Sequence, residues 1–382
     1  MIIKSLLDND MYKYTMAQCV LHYYPSVYVK YKFKCRNFED TLGKNIKDIH
    51  EFVEKINHEI KELCNLKLTE DELSWLSDIR FFKPDFITYL DNFKLDESLV
   101  HCYVNNDSNE IEIFFRGPWI KTILFEVPIL AIVSELYTQE MVGELSNLKK
   151  NFDSYFPQPI FKFTDMGTRR RASLDHHVSV VKHFVDTFST FIGTSNLYIA
   201  KMLNIKPIGT MAHEWIQAHQ QLSPILNSQE EALQVWADEY RGDLGIALSD
   251  TLGFDAFLNE FDMYFAKLFD GCRHDSGDPF EWTAKLISHY KSMNIDPKTK
   301  SAIYSDGLDF NKCYLIHKTF KDMINVSFGI GTWLTNNVGF TPPQNVIKMV
   351  SCNGGPVAKI SDDPGKGMCE NENYLNYING LF

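Results

Sequence analysis

The chain has 382 residues, of which 45% are hydrophobic and 23% charged, ordinary values for a globular protein. Its formal net charge of −12 argues against a nucleic-acid partner, whose phosphates require a basic surface. The longest apolar run, Val127 to Val133, is far shorter than the roughly 20 residues that cross a bilayer, so we expect no membrane span. The N-terminal segment lacks the apolar core of a signal peptide. The eight cysteines show no CxxC or zinc-site spacing, which indicates reduced thiols in a cytoplasmic protein.

The first third of the chain has the pattern of an α+β module. Val27 to Lys34 alternates apolar and basic residues, and Glu110 to Arg116 alternates again, as expected of half-buried strands. Residues 48–80 have helical periodicity with many charges. The pattern changes near Pro118, after which the apolar segment 127–142 is typical of a buried helix. We therefore predict an N-terminal α+β domain with an antiparallel sheet over residues 1–120.

From about Phe161 onward, short apolar runs alternate with helical stretches. The predicted strands are Pro159–Phe163, Phe191–Ile192, Ile205–Ile208, Gly245–Leu248, Ser301–Tyr304 and Asn325–Phe328. The predicted helices include Ser228–Tyr240, Phe280–Met293 and Phe310–Phe320. This alternation favours an α/β fold with parallel strands and helices outside.

Short polar clusters follow the predicted strands at regular intervals. The intervals between His213, Asp250, Asp275, Asp306 and Gly331 are 37, 25, 31 and 25 residues. An eight-stranded α/β barrel averages about 30 residues per unit and carries its chemistry at the carboxyl ends of its strands. A doubly wound sheet would more often have one dominant glycine-rich turn. We therefore predict a TIM-like α/β barrel domain over 121–341, with residues 342–382 packing back on the first domain.

Two clusters combine basic residues with turn residues. Arg169–Arg171 follows a glycine turn and suits phosphate or carboxylate, although a solvated helix start is the alternative. In Arg273–Pro279, Asp278 and Pro279 have the pattern of a capped helix start, which leaves Arg273 and Asp275 for a ligand.

The motif Gly209–Glu214 presents His213 on a turn beside a carboxylate, between a strand-like and a helix-like run. Most histidines in proteins are surface or core residues without a chemical role. Metal binding is disfavoured here because His219 lies six residues on, which does not match the HExxH spacing. The roles of general base and phosphoryl acceptor stay open.

The ordered motifs LLDNDMYKYTM, FTDMGTRRRAS, GTSN, GTMAHEW, ALSDT, RHDSGDP, YSDGLDF, FGIGT and KISDDPGK resemble the nicotinate phosphoribosyltransferase family, from residue 6 to about 367. The resemblance implies an irregular α/β barrel with an N-terminal α+β domain, forming a homodimer with shared active sites. It further implies an ATP-dependent ligase for NAD salvage. Nicotinate, phosphoribosyl diphosphate, ATP and water would give nicotinate mononucleotide, diphosphate, ADP and phosphate through a phosphohistidine.

The resemblance assigns the phosphohistidine to His213 and further catalytic roles to Arg273, Asp275 and Asp250. The residues that it implies in substrate binding are Asp10, Tyr12, Met166, Arg169, Thr194, Asn196, Thr210, Asp306, Gly307, Gly331, Thr332, Lys359 and Ser361. Asp10 and Tyr12 would reach in from the partner subunit, with the Tyr12 ring stacked on the pyridine. We expect no dedicated protein metal site, because the cofactor Mg²⁺ would be held by the diphosphate, with Asp275 as a further ligand.

One position bears on substrate choice. Relatives that use nicotinamide carry an acid in the turn that contains Asn196 here, and a neutral side chain would not repel the anionic nicotinate. Nicotinamide and quinolinate phosphoribosyltransferases, and a non-catalytic barrel scaffold, are the alternatives.

Overall fold

The computed structural model describes residues 1–145, 159–363 and 367–382. The chain forms two compact units. Unit 1 comprises Met1–Gln158, Asp165–Ile208 and Gly331–Lys348, and unit 2 comprises Pro159–Thr164, Gly209–Ile330 and Met349–Phe382. The domain boundaries expected near residues 120 and 341 stay a prediction. Within the described ranges, no helix combines the length and apolar character needed to span a membrane.

The strands of the described residues are β1 (Tyr28–Cys35), β2 (Val100–Val104), β3 (Ile111–Pro118), β4 (Lys162–Asp165), β5 (Phe191–Thr194), β6 (Ile246–Leu248), β7 (Gly271–His274), β8 (Ser301–Tyr304), β9 (Asn325–Ile330), β10 (Asn345–Cys352) and β11 (Gly355–Pro356).

The α-helices are α1 (Met11–Tyr23), α2 (Leu42–Asn45), α3 (Ile49–Asn65), α4 (Glu70–Ser77), α5 (Pro84–Asp91), α6 (Trp119–Thr122), α7 (Glu126–Val142), α8 (Leu174–Thr187), α9 (Leu197–Leu203), α10 (His213–Leu222), α11 (Ser228–Tyr240), α12 (Phe254–Glu260), α13 (Met263–Leu268), α14 (Pro279–Ser292), α15 (Phe310–Phe320), α16 (Thr332–Thr335) and α17 (Glu372–Asn379).

Unit 1 contains the predicted antiparallel sheet, in which β3 lies between β1 and β2. Val29, Tyr31 and Phe33 of β1 are buried, whereas the lysines between them face the other side. Tyr31 lies opposite Phe115 of β3, and the two rings stack with their centroids 4.7 Å apart. The period of two in the sequence therefore corresponds to one buried and one solvated face.

The helices of unit 1 follow the predicted pattern with one break. The predicted helical stretch 48–80 is divided into α3 and α4, because Thr69 forms a capping box with Glu72 that starts a new helix. Helix α7 has the bounds expected of the apolar segment and is buried along most of its length.

Unit 2 contains parallel strands in the order β6, β7, β8 and β9, with β4 next to β9. Helices α12 and α13 connect β6 to β7, α14 connects β7 to β8, and α15 connects β8 to β9. Gly271 of β7 lies so close to the carbonyl group of Ser301 in β8 that a Cβ atom would overlap with it. The predicted α/β fold with an N-terminal α+β region is confirmed.

One strand prediction was wrong, and four strands of the described residues were not predicted: β2, β7, β10 and β11. The segment predicted as Ile205–Ile208 makes one isolated bridge, from Pro207 to Thr194, because proline has no N–H for a ladder. Strand β7 was not predicted, since its sequence of Gly, Cys, Arg and His has neither alternation nor an apolar run.

The core of unit 2 supports the carboxyl ends of its strands. Trp282 of α14 packs against Tyr304 of β8, with ring centroids 5.7 Å apart. Its indole N–H donates to Ser249 Oγ, and this hydroxyl donates in turn to the Arg273 carbonyl, at 3.0 and 2.9 Å. The core thereby fixes the loops that follow β6 and β7.

Candidate active site

His213 is the first residue of α10 and is 5% exposed. The extended residues before it are held by Thr210, whose hydroxyl donates to the Ile246 carbonyl of β6 at 3.0 Å. The turn is therefore attached to the strand that leads to Asp250. The structure thus brings two distant sequence motifs, GTMAHE and ALSD, to one place.

Asp250 is the centre of the polar cluster and is 1% exposed. Its Oδ1 lies 2.9 Å from His213 Nε2. Its Oδ2 accepts from Ser276 Oγ at 2.6 Å and from Lys359 Nζ at 2.8 Å. Burial alone would raise the pKa of Asp250, but the charges of His213 and Lys359 and their hydrogen bonds hold this pKa well below its usual range. Asp250 is therefore an ionised acceptor for three donors.

Asp275 faces the same imidazole from the loop after β7. Its Oδ2 lies 3.5 Å from His213 Nε2, and its Oδ1 accepts from Ser305 Oγ at 2.6 Å. Burial raises the pKa of Asp275, while His213 and Arg273 lower it by more, so that the net direction is downward. The Nε of Arg273 is buried without a hydrogen-bond partner among the described residues, and such a group is suited to a ligand.

A short C-terminal segment, Lys359–Asp362, closes the cluster, and we call it the strap. The Ile360 N–H donates to the Thr251 carbonyl at 2.9 Å, and the Asp362 N–H donates to Ser276 Oγ at 3.2 Å. Ser361 has a left-handed φ of 68°. The strap therefore contacts both the loop after β6 and the loop after β7.

Unit 1 brings together a second group of predicted residues, around Asp165 at the end of β4. This buried carboxylate accepts from Thr194 Oγ1 and His177 Nε2, each at 2.6 Å, and from the Gly167 N–H at 2.9 Å. It joins the turn containing Met166 to the loop after β5.

Asp10 and Asn196 belong to the same part of unit 1. Asp10 Oδ1 accepts from Ser195 Oγ at 2.7 Å, and burial raises the pKa of Asp10 above its ordinary value. Asn196 caps α9 through Ile199 N, and its Nδ2 donates to Asp8 Oδ1 at 2.8 Å. The Asn196 side chain is fully buried and already engaged with protein groups.

The remaining predicted residues are more accessible. Tyr12, Arg169 and Thr332 are partly buried, and Arg169 Nη1 lies 3.6 Å from Glu126 Oε1. Gly331 precedes α16, and its position for a Cβ is 3.2 Å from the Met166 carbonyl oxygen. Asp306 and Gly307 follow β8, and Ser361 lies in the strap.

Several contacting residues had no assigned role in the sequence prediction. In unit 2 these are Ser276, Ser305 and Asp362, and in unit 1 they are Asp8, Asp165 and His177. Arg171 of the predicted anion-binding cluster is buried and pairs with Asp8. Ser276 lies within the RHDSGDP motif, so the sequence indicated that its loop belongs to the site but did not indicate the serine itself. Asp362 had the pattern of a turn acid, and nothing local indicates its partners.

Mg²⁺ prefers oxygen ligands in an octahedral arrangement. The ligand atoms of His213, Asp250 and Asp275 lie within 4.8 Å of one another. However, the Lys359 ammonium group occupies Oδ2 of Asp250 and would repel a cation there. Of these three residues, Asp275 is the one that fits Mg²⁺, because its carboxylate is 26% exposed. A substrate or water would supply the other oxygen ligands.

Comparisons with known proteins cover nearly the whole chain. The profile of the nicotinate phosphoribosyltransferase (NAPRTase) family matches residues 161–382, and that of the NAPRTase N-terminal domain matches 7–134. Proteins named nicotinate phosphoribosyltransferase from Xylella fastidiosa and Xanthomonas euvesicatoria are 49% and 50% identical, each covering 100% of this chain and 98% of the relative.

Solved structures give the same result. The crystal structure of nicotinate phosphoribosyltransferase from Vibrio cholerae has a TM-score of 0.90 at 36% identity, covering 100% of this chain and 94% of that one. The Porphyromonas gingivalis structure of the same name has a TM-score of 0.89 at 32% identity and covers 100% of both chains. The chain therefore belongs to the nicotinate phosphoribosyltransferase family.

Proposed function

We propose that this protein is an ATP-coupled nicotinate phosphoribosyltransferase of NAD biosynthesis. It converts nicotinate and phosphoribosyl diphosphate to nicotinate mononucleotide and diphosphate, while ATP and water give ADP and phosphate. Family membership supports the transfer reaction. The observation that carries the ATP coupling is the contact of 2.9 Å between His213 Nε2 and the ionised Asp250.

In this proposal, the contact with Asp250 selects the imidazole nitrogen that reacts. An ionised carboxylate only accepts hydrogen bonds, so Nε2 of His213 carries the proton and Nδ1 has the lone pair. Nδ1 attacks the γ-phosphorus of ATP, the bond from phosphorus to the ADP oxygen breaks, and ADP leaves. Asp250 stabilises the positive charge that the phosphorylated ring acquires. Water later attacks the phosphorus, and the P–N electron pair returns to His213.

The transfer step needs cations more than it needs a base. The pyridine nitrogen of nicotinate attacks C1 of the ribose as the bond to diphosphate breaks, and the electron pair leaves with the diphosphate. Arg273 and Arg169 are the predicted arginines that stabilise the departing anion. Asp275 would hold Mg²⁺ together with the diphosphate oxygens, and the ion would supply further charge neutralisation.

The coupling of ATP to transfer is electrostatic in this proposal. Phosphorylation adds roughly −1.5 to −2 charges to a residue at neutral pH. That charge would appear beside Asp250 and Asp275 at the start of α10, where the helix dipole favours an anion. In the presence of Mg²⁺ the added charge tightens the loops around the diphosphate, and hydrolysis releases the product.

Selectivity for the acid substrate is assigned to Asn196. Its amide donates to Asp8 at 2.8 Å, so an acid at this position would place two carboxylates together. A neutral Asn196 avoids that repulsion and the repulsion of nicotinate. The proposal also includes a cytoplasmic homodimer in which Tyr12 completes the site of the partner subunit, whereas Asp10 is 2% exposed and accepts from Ser195 of its own chain.

The test is a product assay with nicotinate, nicotinamide and quinolinate, each with and without ATP. Of the three substrates, we expect only nicotinate to give a mononucleotide product, and we expect ATP to be consumed during turnover. Product from quinolinate with release of CO₂, or from nicotinamide at an equal rate, would contradict the proposal. Absence of turnover with any substrate would favour a binding or scaffold protein.

The phosphohistidine has its own test. Incubation with ATP should add one acid-labile phosphate to the protein and none to the His213→Asn variant. The exposed His58 of α3 provides the matched control, since His58→Asn should retain the phosphate. Labelling that survives His213→Asn would refute the assignment.

A further inference from the structure

We propose that Ser276 is a positioning residue that keeps the proton of His213 on Nε2 and makes its placement depend on the seating of the strap. The structural part of this proposal stands on contacts within unit 2. Its consequence for catalysis rests on the proposed phosphorylation of His213.

The hydroxyl group of Ser276 has a fixed direction. Ser276 is 1% exposed, and its Oγ receives a hydrogen bond from the Asp362 N–H at 3.2 Å. A backbone N–H can only donate, so the single hydroxyl hydrogen points the other way, to Asp250 Oδ2 at 2.6 Å. The two hydrogen bonds therefore have the same donor-to-acceptor direction, from the strap through Ser276 to Asp250.

Asp250 passes this direction on to the imidazole. Its Oδ2 is occupied by two donors, Ser276 and Lys359, which leaves Oδ1 as the acceptor that faces His213 at 2.9 Å. A carboxylate held in this orientation favours the ring form with hydrogen on Nε2. If Oδ2 lost its donors, the carboxylate could rotate and the ring could exchange its tautomer.

The strap acts on both donors on that side. Lys359 provides the ammonium group directly, and Asp362 provides the N–H that orients Ser276. The approach of the strap also depends on Gly277, which has a φ of 81°. A Cβ there would lie 3.0 Å from the Asp362 Cβ. Displacement of the strap would thus remove the Lys359 donor and the N–H that orients Ser276 at once, so the state of the imidazole reports whether the strap is seated.

The test compares Ser276→Ala with Thr283→Val in the full-length protein. Thr283 has a buried hydroxyl group 2.7 Å from Tyr304 Oη, outside the chain of bonds to His213, so its loss controls for general destabilisation. Nitrogen NMR of the histidine rings, with His213 assigned through His213→Asn, reports the tautomer. Single-turnover labelling with ATP reports the phosphorylation rate.

We expect the Nε2–H form in the native protein and in Thr283→Val, and a mixture of tautomers in Ser276→Ala. Because a hydrogen bond to a charged group is lost, the phosphorylation rate should fall about tenfold to a hundredfold, with ATP affinity unchanged. Ser276→Cys retains the volume of the side chain and a weak donor, so its phosphorylation rate should lie between those of the native protein and Ser276→Ala. This variant replaces Ser276→Ala in the test if the alanine variant does not fold.

An unchanged tautomer and an unchanged labelling rate in Ser276→Ala would overturn the proposal, as would a native protein with hydrogen on Nδ1. A native protein that takes no phosphate from ATP would instead refute the phosphohistidine. The NMR comparison would still decide the role of Ser276.

Discussion

Asp250→Asn is the most informative single substitution, because it changes one atom at the centre of the cluster. The asparagine amide has one oxygen acceptor, whereas Asp250 accepts from His213 on one side and from Ser276 and Lys359 on the other. If the amide oxygen faces Lys359, the NH₂ group faces Nε2 and forces the proton of the imidazole to Nδ1. If the oxygen faces His213, the NH₂ group faces the buried ammonium group.

Both arrangements carry a cost that can be estimated. Removing one partner of a buried ion pair costs about 3–5 kcal/mol, and the Lys359 side chain is only 5% exposed. A reversed tautomer of a catalytic histidine lowers the rate by about 10⁴-fold in the Ser-His-Asp enzymes, and we expect a loss of about that size for phosphorylation.

The assays are urea unfolding and single-turnover labelling with ATP. Asp255→Asn is the control, since Asp255 pairs with Lys285 on the surface and should change stability by at most about 0.5 kcal/mol. The reasoning would be refuted if Asp250→Asn were labelled within tenfold of the native rate while unfolding like the control.

Three further predictions concern stability and are checked by denaturant unfolding. Burial lowers the pKa of His219 from 6.5 to about 4, so its contribution is fully present above pH 6.5 and is lost as the pH falls toward 4. The free energy of unfolding should therefore fall by about 3 kcal/mol between pH 6.5 and pH 4. The His219→Phe variant should lose less stability over this range, and an equal loss in both proteins would contradict the prediction. Gly271→Ala should lower the free energy of unfolding by at least about 3 kcal/mol, because its methyl group would overlap with the Ser301 carbonyl group. Gly380→Ala is the control, and its methyl group would make only ordinary contacts, so stability should change little. Arg171→Met should cost about 3–5 kcal/mol of stability, because it leaves the buried Asp8 without its bidentate partner. Adding Asp8→Asn should recover part of that loss. A double variant no more stable than Arg171→Met would argue against this account.

Features encoded within one turn or one helix were predictable from the sequence. The cap at Asp278 with Pro279 in the first turn of α14 is confirmed, because both residues act on their own helix. The apolar segment 127–142 gave α7 to within one residue. The alternation in Val27 to Lys34 likewise gave β1 and its buried face.

Features that depend on distant neighbours were not predictable in the same way. Strand β7 exists because β6 and β8 pair with it on both sides, and its own four residues carry no strand pattern. The bond from Asp362 to Ser276 joins residues 86 apart in the sequence. No local pattern indicates that an acid in a turn near the C-terminus orients a serine after a central strand.

The ion pair between Lys359 and Asp250 has a consequence for how the enzyme comes into being. It closes a loop of 109 residues (359 − 250), so it forms only after most of unit 2 has been synthesised and folded. A nascent chain that ends before Lys359 would have His213 and Asp250 but would lack the cation that fixes them. We therefore expect that chains truncated before the strap cannot acquire phosphate from ATP, which would prevent incomplete molecules from consuming it.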